Sequence, residues 1–415
     1  MAEIKVPFHR AAITKAEEDA VLDVLRSGWL TTGKYALEFE KNFSAAVGGG
    51  DEAAGRAPVI SLAVNSNTSG MILAMEACGV REGTAVITTP YTFVSTATCA
   101  RHLNADVFFA DVEKDTYSID PDKIEEILKK DSQPGGYDGK GAHRVRAIVP
   151  VHIAGNVCNM ERILELAKKY STPENRIRVI EDAAHSFPSP TKLGYAGTIG
   201  DAGVFSFYVT KTITTAEGGM VCTRDPELAR RMTVMRMHGM DRTTWDRYTS
   251  PRASWEYDII APGYKFNLPD VLAALGCCQV DRAQLFYEQR KRIVEKYNEA
   301  FAGLDFIKLP PDGEGNSWHL YLMRIVPEKL KITREEFAKK MQEAGLGISV
   351  HFIPIFHFTY WKELYPDFTA ENYPNAEDQY NTTISIPLFP DMTDEQAQLV
   401  IDTVTRIGNE NRSKA

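Results

Sequence analysis

No apolar run in the 415 residues approaches the roughly 20 needed to cross a bilayer as a helix, which excludes that kind of membrane protein. Positive charge is scarce. Against 56 Asp and Glu there are 47 Lys and Arg, a net charge of −9, and no basic cluster offers a nucleic-acid surface. Cysteine is sparse too: Cys78, Cys99, Cys158, Cys222, Cys277 and Cys278 include no Cys-x-x-Cys pair, so neither zinc, an iron–sulfur cluster nor any other metal is expected. Most of them sit in apolar surroundings and read as reduced core residues. The opening Met1-Ala-Glu-Ile-Lys-Val-Pro7 lacks the basic and apolar regions of a signal peptide, and the expected compartment is the cytoplasm. What is present, 44% hydrophobic and 25% charged residues, is ordinary for a soluble protein, and the length suffices for a large domain plus a smaller one.

Thr14-Lys-Ala-Glu17 forms a capping box ahead of a helix with Val21, Leu22 and Leu25 on one face, and Gly28 ends it. From residue 58 short β-branched runs alternate with helical stretches. Val59 to Val64, Ala85 to Thr88, Asp106 to Ala110, Val145 to Val151 and Ile177 to Glu181 read as strands; Ile124 to Lys130 and Met160 to Lys169 read as helices. Near-continuous apolar strands separated by helices predict an α/β fold with a mostly parallel sheet covered on both faces. Residues 132–140 look like an exposed loop insertion without assigned function. Between Arg236 and Asp270 the composition is loop-like, including Arg247-Tyr-Thr-Ser-Pro251. Ala273 to Phe301 reads as one long helix leading into a smaller α+β domain. That domain holds the β-run His319 to Val326, a helix from Glu335 to Ala344 ended by Gly345, and a closing helix from Asp394 to Ile407. The expected division is 1–272 for the large domain and 273–415 for the small one.

Ligands in such sheets bind beyond the carboxyl ends of strands, and two residues stand there. Lys211 follows the β-run Val204 to Phe207 and precedes a Thr-rich loop and a Glu-Gly-Gly turn. A lone lysine in a loop is more often a solvated side chain. Here Ser206 and Thr210 offer hydroxyls to a phosphate, the glycines permit close backbone approach, and a desolvated lysine is a nucleophile able to form a Schiff base. Asp182 ends the run from Ile177. An acid at a strand end is commonly a turn former, but paired with such a lysine it fits a carboxylate that keeps a pyridinium nitrogen protonated. Asn65-Ser-Asn-Thr-Ser-Gly70, between a strand and a helix start, supplies small polar residues that either cap the helix or cradle a phosphate.

Asp182-Ala-Ala-His185, Phe205-Ser-Phe207, Lys211 and Thr214-Thr-Ala-Glu-Gly-Gly219 together resemble the DegT/StrS family of nucleotide-sugar aminotransferases. The resemblance runs from Gly28-Trp-Leu-Thr-Thr-Gly33 to Pro387-Leu-Phe-Pro390. It implies an aspartate-aminotransferase-like (fold type I) enzyme using pyridoxal 5′-phosphate, which becomes pyridoxamine phosphate during turnover. It implies that Lys211 and Asp182 are catalytic and that Thr68 and Ser69, with neighbouring Asn67, lie at the cofactor phosphate. Asn67 stands where the family often has glycine. Ser206 is implied as a further cofactor contact, Phe93 stacks on the cofactor ring and His185 bonds the ring hydroxyl. Gly263-Tyr-Lys-Phe-Asn267 resembles the family segment whose asparagine reaches the phosphate held by the other subunit, which implies a homodimer with shared sites. Trp29, Thr32, Lys265 and His351 take substrate-side positions.

The implied reaction is transamination of a nucleotide-linked keto-deoxysugar with glutamate as amino donor, at carbon 4 by the likeness of the 29–33 and 263–267 segments, for aminosugar and surface-polysaccharide synthesis. Members acting at carbon 3 are the near alternative. A dehydrating member, or a non-catalytic protein on the same fold, are rivals from other classes. The best-known dehydratases carry histidine in place of the lysine, so Lys211 opposes the first. Asp182, Lys211, Ser206 and Asn267 together oppose the second.

Overall fold

The computed structural model describes residues 3–48, 53, 55–241 and 256–413. The expected loop at Arg247-Tyr-Thr-Ser-Pro251 lies outside them. Two helices open the chain, α1 (Lys15–Ser27) and α2 (Lys34–Val47). The Thr14–Glu17 capping box starts α1, and Gly28 ends it at φ 72°, a left-handed angle that glycine adopts without strain.

The central sheet contains β1 (Ile60–Val64), β2 (Ala85–Thr88), β3 (Asp106–Phe109), β4 (Val145–Ile148) and β5 (Arg178–Asp182); β6 (Pro190–Thr191) and β7 (Gly194–Tyr195) form a separate ribbon. β8 (Ala202–Ser206) and β9 (Gly219–Thr223) complete the main sheet, in the order β1-β9-β8-β5-β4-β2-β3. Only β9 runs against the others, antiparallel to both β1 and β8. Helices α3 (Asn67–Ala77), α4 (Ser95–His102), α5 (Pro121–Asp131) and α6 (Met160–Tyr170) connect the strands, and α7 (Pro226–Met235) follows β9. β2 and β9 are buried along their whole length, which is why they read as apolar runs rather than alternating ones.

The long helix expected from Ala273 to Phe301 is two, α8 (Asp270–Asp281) and α9 (Ala283–Phe301), divided at Arg282 with φ −101° and ψ 0°. Arg282 turns its guanidinium back to Glu17 Oε1 at 2.7 Å, while Gln279 donates to the same oxygen at 2.8 Å. That tie to the buried Glu17 carboxylate, a tertiary contact, fixes the break.

A second, antiparallel sheet holds β10 (Ile307–Lys308), β11 (Tyr321–Ile325) and β12 (Thr383–Ile386). With it go α10 (Arg334–Glu343), α11 (Thr359–Leu364), α12 (Pro374–Thr382) and α13 (Asp394–Glu410). Ile293, Phe301, Tyr321, Met323, Phe337, Val400 and Val404 share one buried core there, and Val6 from the start of the chain joins it. Among the described residues no helix is long and apolar enough to cross a membrane, and no cluster of side chains could hold a metal ion.

Candidate active site

The carboxyl ends of β1, β8 and β5 and the amino end of the reversed β9 meet at one edge of the sheet, with Val64 and Ser206 both opposite Gly219. A cavity of about 490 Å³ opens there, within the roughly 300–1,000 Å³ common for small-molecule sites. Its walls include Ser66, Asn67, Thr68, Phe93, Asp182, His185, Ser206, Thr210, Lys211, Glu217, His319 and His351.

Strand period explains Ser206. Phe205 and Phe207 point into an aromatic cluster, at 4.9 and 5.4 Å from the Phe43 ring, so the residue between them faces the cavity. The loop after it is closed by backbone bonds from Phe207 to Gly218 and from Thr215 to Phe207. Thr214 and Thr215 spend their hydroxyls on the loop's own carbonyls, those of Phe207 and Glu217, leaving Ser206 and Thr210 on the cavity wall. At the other side α3 begins. Ser66 caps it by accepting from the Ser69 N–H, while the Asn67 and Thr68 N–H groups have no acceptor among the described residues. Gly219 lets β9 approach this helix start: a Cβ there would lie 2.7 Å from the Asn67 nitrogen.

Asp182 is 4% exposed. Its Oδ2 accepts from Thr96 Oγ1 at 2.7 Å and its Oδ1 from the Ala184 N–H at 3.2 Å and the Asn67 amide at 3.4 Å. Burial pushes its carboxyl above the usual range, against these donors and the Lys211 charge. Burial also lowers the Lys211 ammonium to about 8, opposed by Asp182. His185 is buried and accepts the Ala154 N–H on Nδ1 at 3.1 Å, so its neutral ring carries the proton on Nε2. Burial, then Lys211 and His351, hold it well below the ordinary histidine range. His351 is likewise lowered to about 3, by burial and then Lys211. Its Nδ1 meets Ser385 Oγ at 2.9 Å. Phe93 stands 59% exposed at the mouth, 6.2 Å from the Phe352 ring.

Five expected site residues lie off this cavity's lining. Ser69 donates its hydroxyl to Asn65 Oδ1 at 2.5 Å. Trp29, Thr32, Lys265 and Asn267 form a second group. Asn267 Nδ2 donates to Thr32 Oγ1 at 2.7 Å, Lys265 Nζ bonds Asn267 Oδ1, and Trp29 Nε1 donates to the Thr32 carbonyl at 3.2 Å. Burial lowers the Lys265 ammonium. Asp270 builds this corner by accepting the Gly33 and Ala36 N–H groups at the start of α2.

Sequence reasoning missed Thr96, Glu217 and His319. Nothing near Thr96 signals a contact with a residue 86 positions away. His319 read as the first residue of a strand, but β11 starts only at Tyr321.

A lysine amine brought near neutrality opposite a buried acid, beside a hydroxyl-lined helix start, can hold a phosphorylated electrophile and move a proton next to it. The fold and this cavity define an α/β enzyme of the aspartate-aminotransferase type (fold type I). Residues 11–405 match the DegT/DnrJ/EryC1/StrS aminotransferase family, and the chain belongs to it. It is 37% identical over 98% of both chains to the uncharacterized protein MJ1066 of Methanocaldococcus jannaschii. It is also 37% identical, over 97% of both chains, to the spore coat polysaccharide biosynthesis protein SpsC of Bacillus subtilis. Among solved structures it resembles Spr1654 from Streptococcus pneumoniae in its PMP form, at 29% identity and TM-score 0.86 over 98% of this chain and 100% of that one. Helicobacter pylori PseC, an aminotransferase involved in pseudoaminic acid biosynthesis, matches at 26% identity and TM-score 0.82 over 98% and 99%.

Proposed function

We propose that the protein is a pyridoxal phosphate-dependent transaminase that aminates a nucleotide-linked keto-deoxysugar at carbon 4, with glutamate as donor. The observation that carries this reading is the pairing of Lys211 with Asp182 across one cavity. The cavity fits the cofactor. Asp182 is a buried carboxyl without a full positive partner, which a pyridinium N–H would supply; Ser66, Thr68, Ser206 and the open N–H groups of α3 suit a phosphate. PLP and PMP forms of Spr1654 support the assignment. When bound, the cofactor supplies an electron sink for the charge left on a deprotonated carbon.

The chain's residues do the rest. Lys211 Nζ, brought near neutrality, takes the proton from the donor's α-carbon and in the second half-reaction delivers one to the sugar's carbon 4. Asp182 would hold the positive charge at the ring nitrogen, the His185 Nε2–H would be the donor for the ring hydroxyl, and Phe93, at the mouth, would pack on the ring. The SpsC and PseC likenesses support surface-polysaccharide or aminosugar synthesis.

A visible absorption band that shifts on adding glutamate tests the reading, and UDP-, dTDP- and GDP-linked ketosugars then test the acceptor. A band unmoved by any amino acid would end it. Covalent capture of pyridoxal phosphate by the cofactor-free protein is expected to accelerate through pH about 8, because the unprotonated Lys211 amine is the reacting form. Capture that accelerates only near pH 10 would contradict the assigned lysine.

The group formed by Trp29, Thr32, Lys265 and Asn267 would face the cavity of a second copy. The test mixes Asn267→Ala chains with Lys211→Ala chains. In the shared arrangement one site of the mixed dimer carries both lesions and the other neither, so cofactor affinity at the active site should match wild type with about half its activity per dimer. If Asn267 serves its own subunit, every working Lys211 sits beside a defective phosphate site. Losing one hydrogen bond to a charged phosphate then weakens binding by roughly 1.5–3 kcal/mol.

A further inference from the structure

Three imidazoles line the cavity with Lys211, and one of them has no partner. His319 precedes β11, and its N–H donates to the Ala154 carbonyl at 3.0 Å. Ala154, at the left-handed φ of 59°, also gives its own N–H to His185 Nδ1. One alanine thereby holds the His185 ring and the His319 backbone, and the two ring centroids lie 4.4 Å apart. The His185 ring is bonded at Nδ1 by that contact. The His319 side chain is 5% exposed, yet neither ring nitrogen hydrogen-bonds any described residue. A cavity-lining ring whose nitrogens take no partner from the described residues is free to meet a ligand.

The groups around it specify that ligand. Burial, then His185, Lys211, His351 and Arg290, all favour the uncharged ring, which keeps one N–H donor and one open lone pair. Arg290 is 2% exposed, with Nε and Nη2 unpaired and Nη1 3.4 Å from the Thr212 carbonyl. Lys211 is the cation on the cavity wall, opposite two carboxylates, Asp182 and Glu217. A transaminase of this type must bind two unlike molecules in turn, a dicarboxylic amino acid and a polyhydroxylated sugar. A neutral imidazole serves both.

We propose that His319 is a substrate-contacting residue, donating to a carboxylate oxygen of the amino donor in one half-reaction and exchanging a hydrogen bond with a sugar hydroxyl in the other. The assignment rests on the transaminase reading above.

The test follows each half-reaction of the holoenzyme in single turnovers, reading apparent affinity from saturation with glutamate and, separately, with the ketosugar. His319→Leu should weaken glutamate roughly tenfold or more and the sugar roughly threefold to tenfold, following the values for charged and neutral hydrogen bonds. Its cofactor affinity and thermal midpoint should stay at the wild-type values. His319→Gln, which keeps a donor and an acceptor, should recover most of the loss. Wild-type affinity for both substrates in His319→Leu overturns the proposal; so does a glutamine variant as impaired as leucine, which would mark ring stacking instead. Should the leucine variant not fold, His319→Ala replaces it: it offers neither donor nor acceptor, so wild-type affinity there is equally fatal. A wild-type protein whose band answers no amino acid sinks the transaminase reading and this assignment with it. A responsive wild type with an indifferent variant sinks this assignment alone.

Discussion

Lys211→Ala is expected to leave no measurable turnover with any amino donor, while the protein stays folded and still binds pyridoxal phosphate without a covalent link. The amine is lost both as the attachment point and as the carrier of the α-proton, and proton transfer alone is worth roughly 10²–10⁴-fold. Phosphate-side contacts are untouched, because Ser66, Thr68 and Ser206 reach the cavity from other elements. The fold does not need the lysine either. Burial disfavours its charge, so removing it relieves a desolvation cost, and the variant should melt no lower than wild type. Lys211→Arg sharpens the result: it restores the positive charge near Asp182 but cannot lose its proton at neutral pH, and should be equally inactive. Stopped-flow absorbance with glutamate decides. Near wild-type transamination by the alanine variant would remove the central assignment.

Asp182→Asn should slow the half-reaction with glutamate by orders of magnitude, each tenfold loss being about 1.4 kcal/mol of barrier. Volume is preserved and so is the local network. The amide oxygen still accepts from the Ala184 N–H, and the Thr96 hydroxyl can turn to accept from the new amide group. Only the charge that keeps a proton on the cofactor's ring nitrogen is lost. An unchanged half-reaction rate would rule out that role. Thr96→Val offers a graded companion. It deletes the 2.7 Å bond that favours the carboxylate, so the Asp182 carboxyl rises further and the acid limb of the rate profile should move to higher pH. A limb that stays in place would separate Thr96 from the chemistry.

The chain alone determined the alternation of strands and helices, because fully buried parallel strands must be apolar and their connections helical. It also singled out Lys211, Asp182 and the Asn65-Ser-Asn-Thr-Ser-Gly70 segment, residues of which line one cavity, since hydroxyls, glycines and lone charges at strand ends are local signals. The capping box at Thr14 and the left-handed end at Gly28 were legible for the same reason: both are satisfied within a few residues. Tertiary structure alone decided the rest. The helix break at Arg282 depends on Glu17, far away in sequence. The Thr96 bond to Asp182, the Ala154 link between His185 and His319, and the grouping of Trp29 and Thr32 with Lys265 and Asn267 join elements distant along the chain. A hydrogen bond across a sheet edge leaves no periodicity in either partner. Lys211 shows the division within one residue: its position was written in the sequence, but only burial in the assembled cavity brings its amine down to about 8.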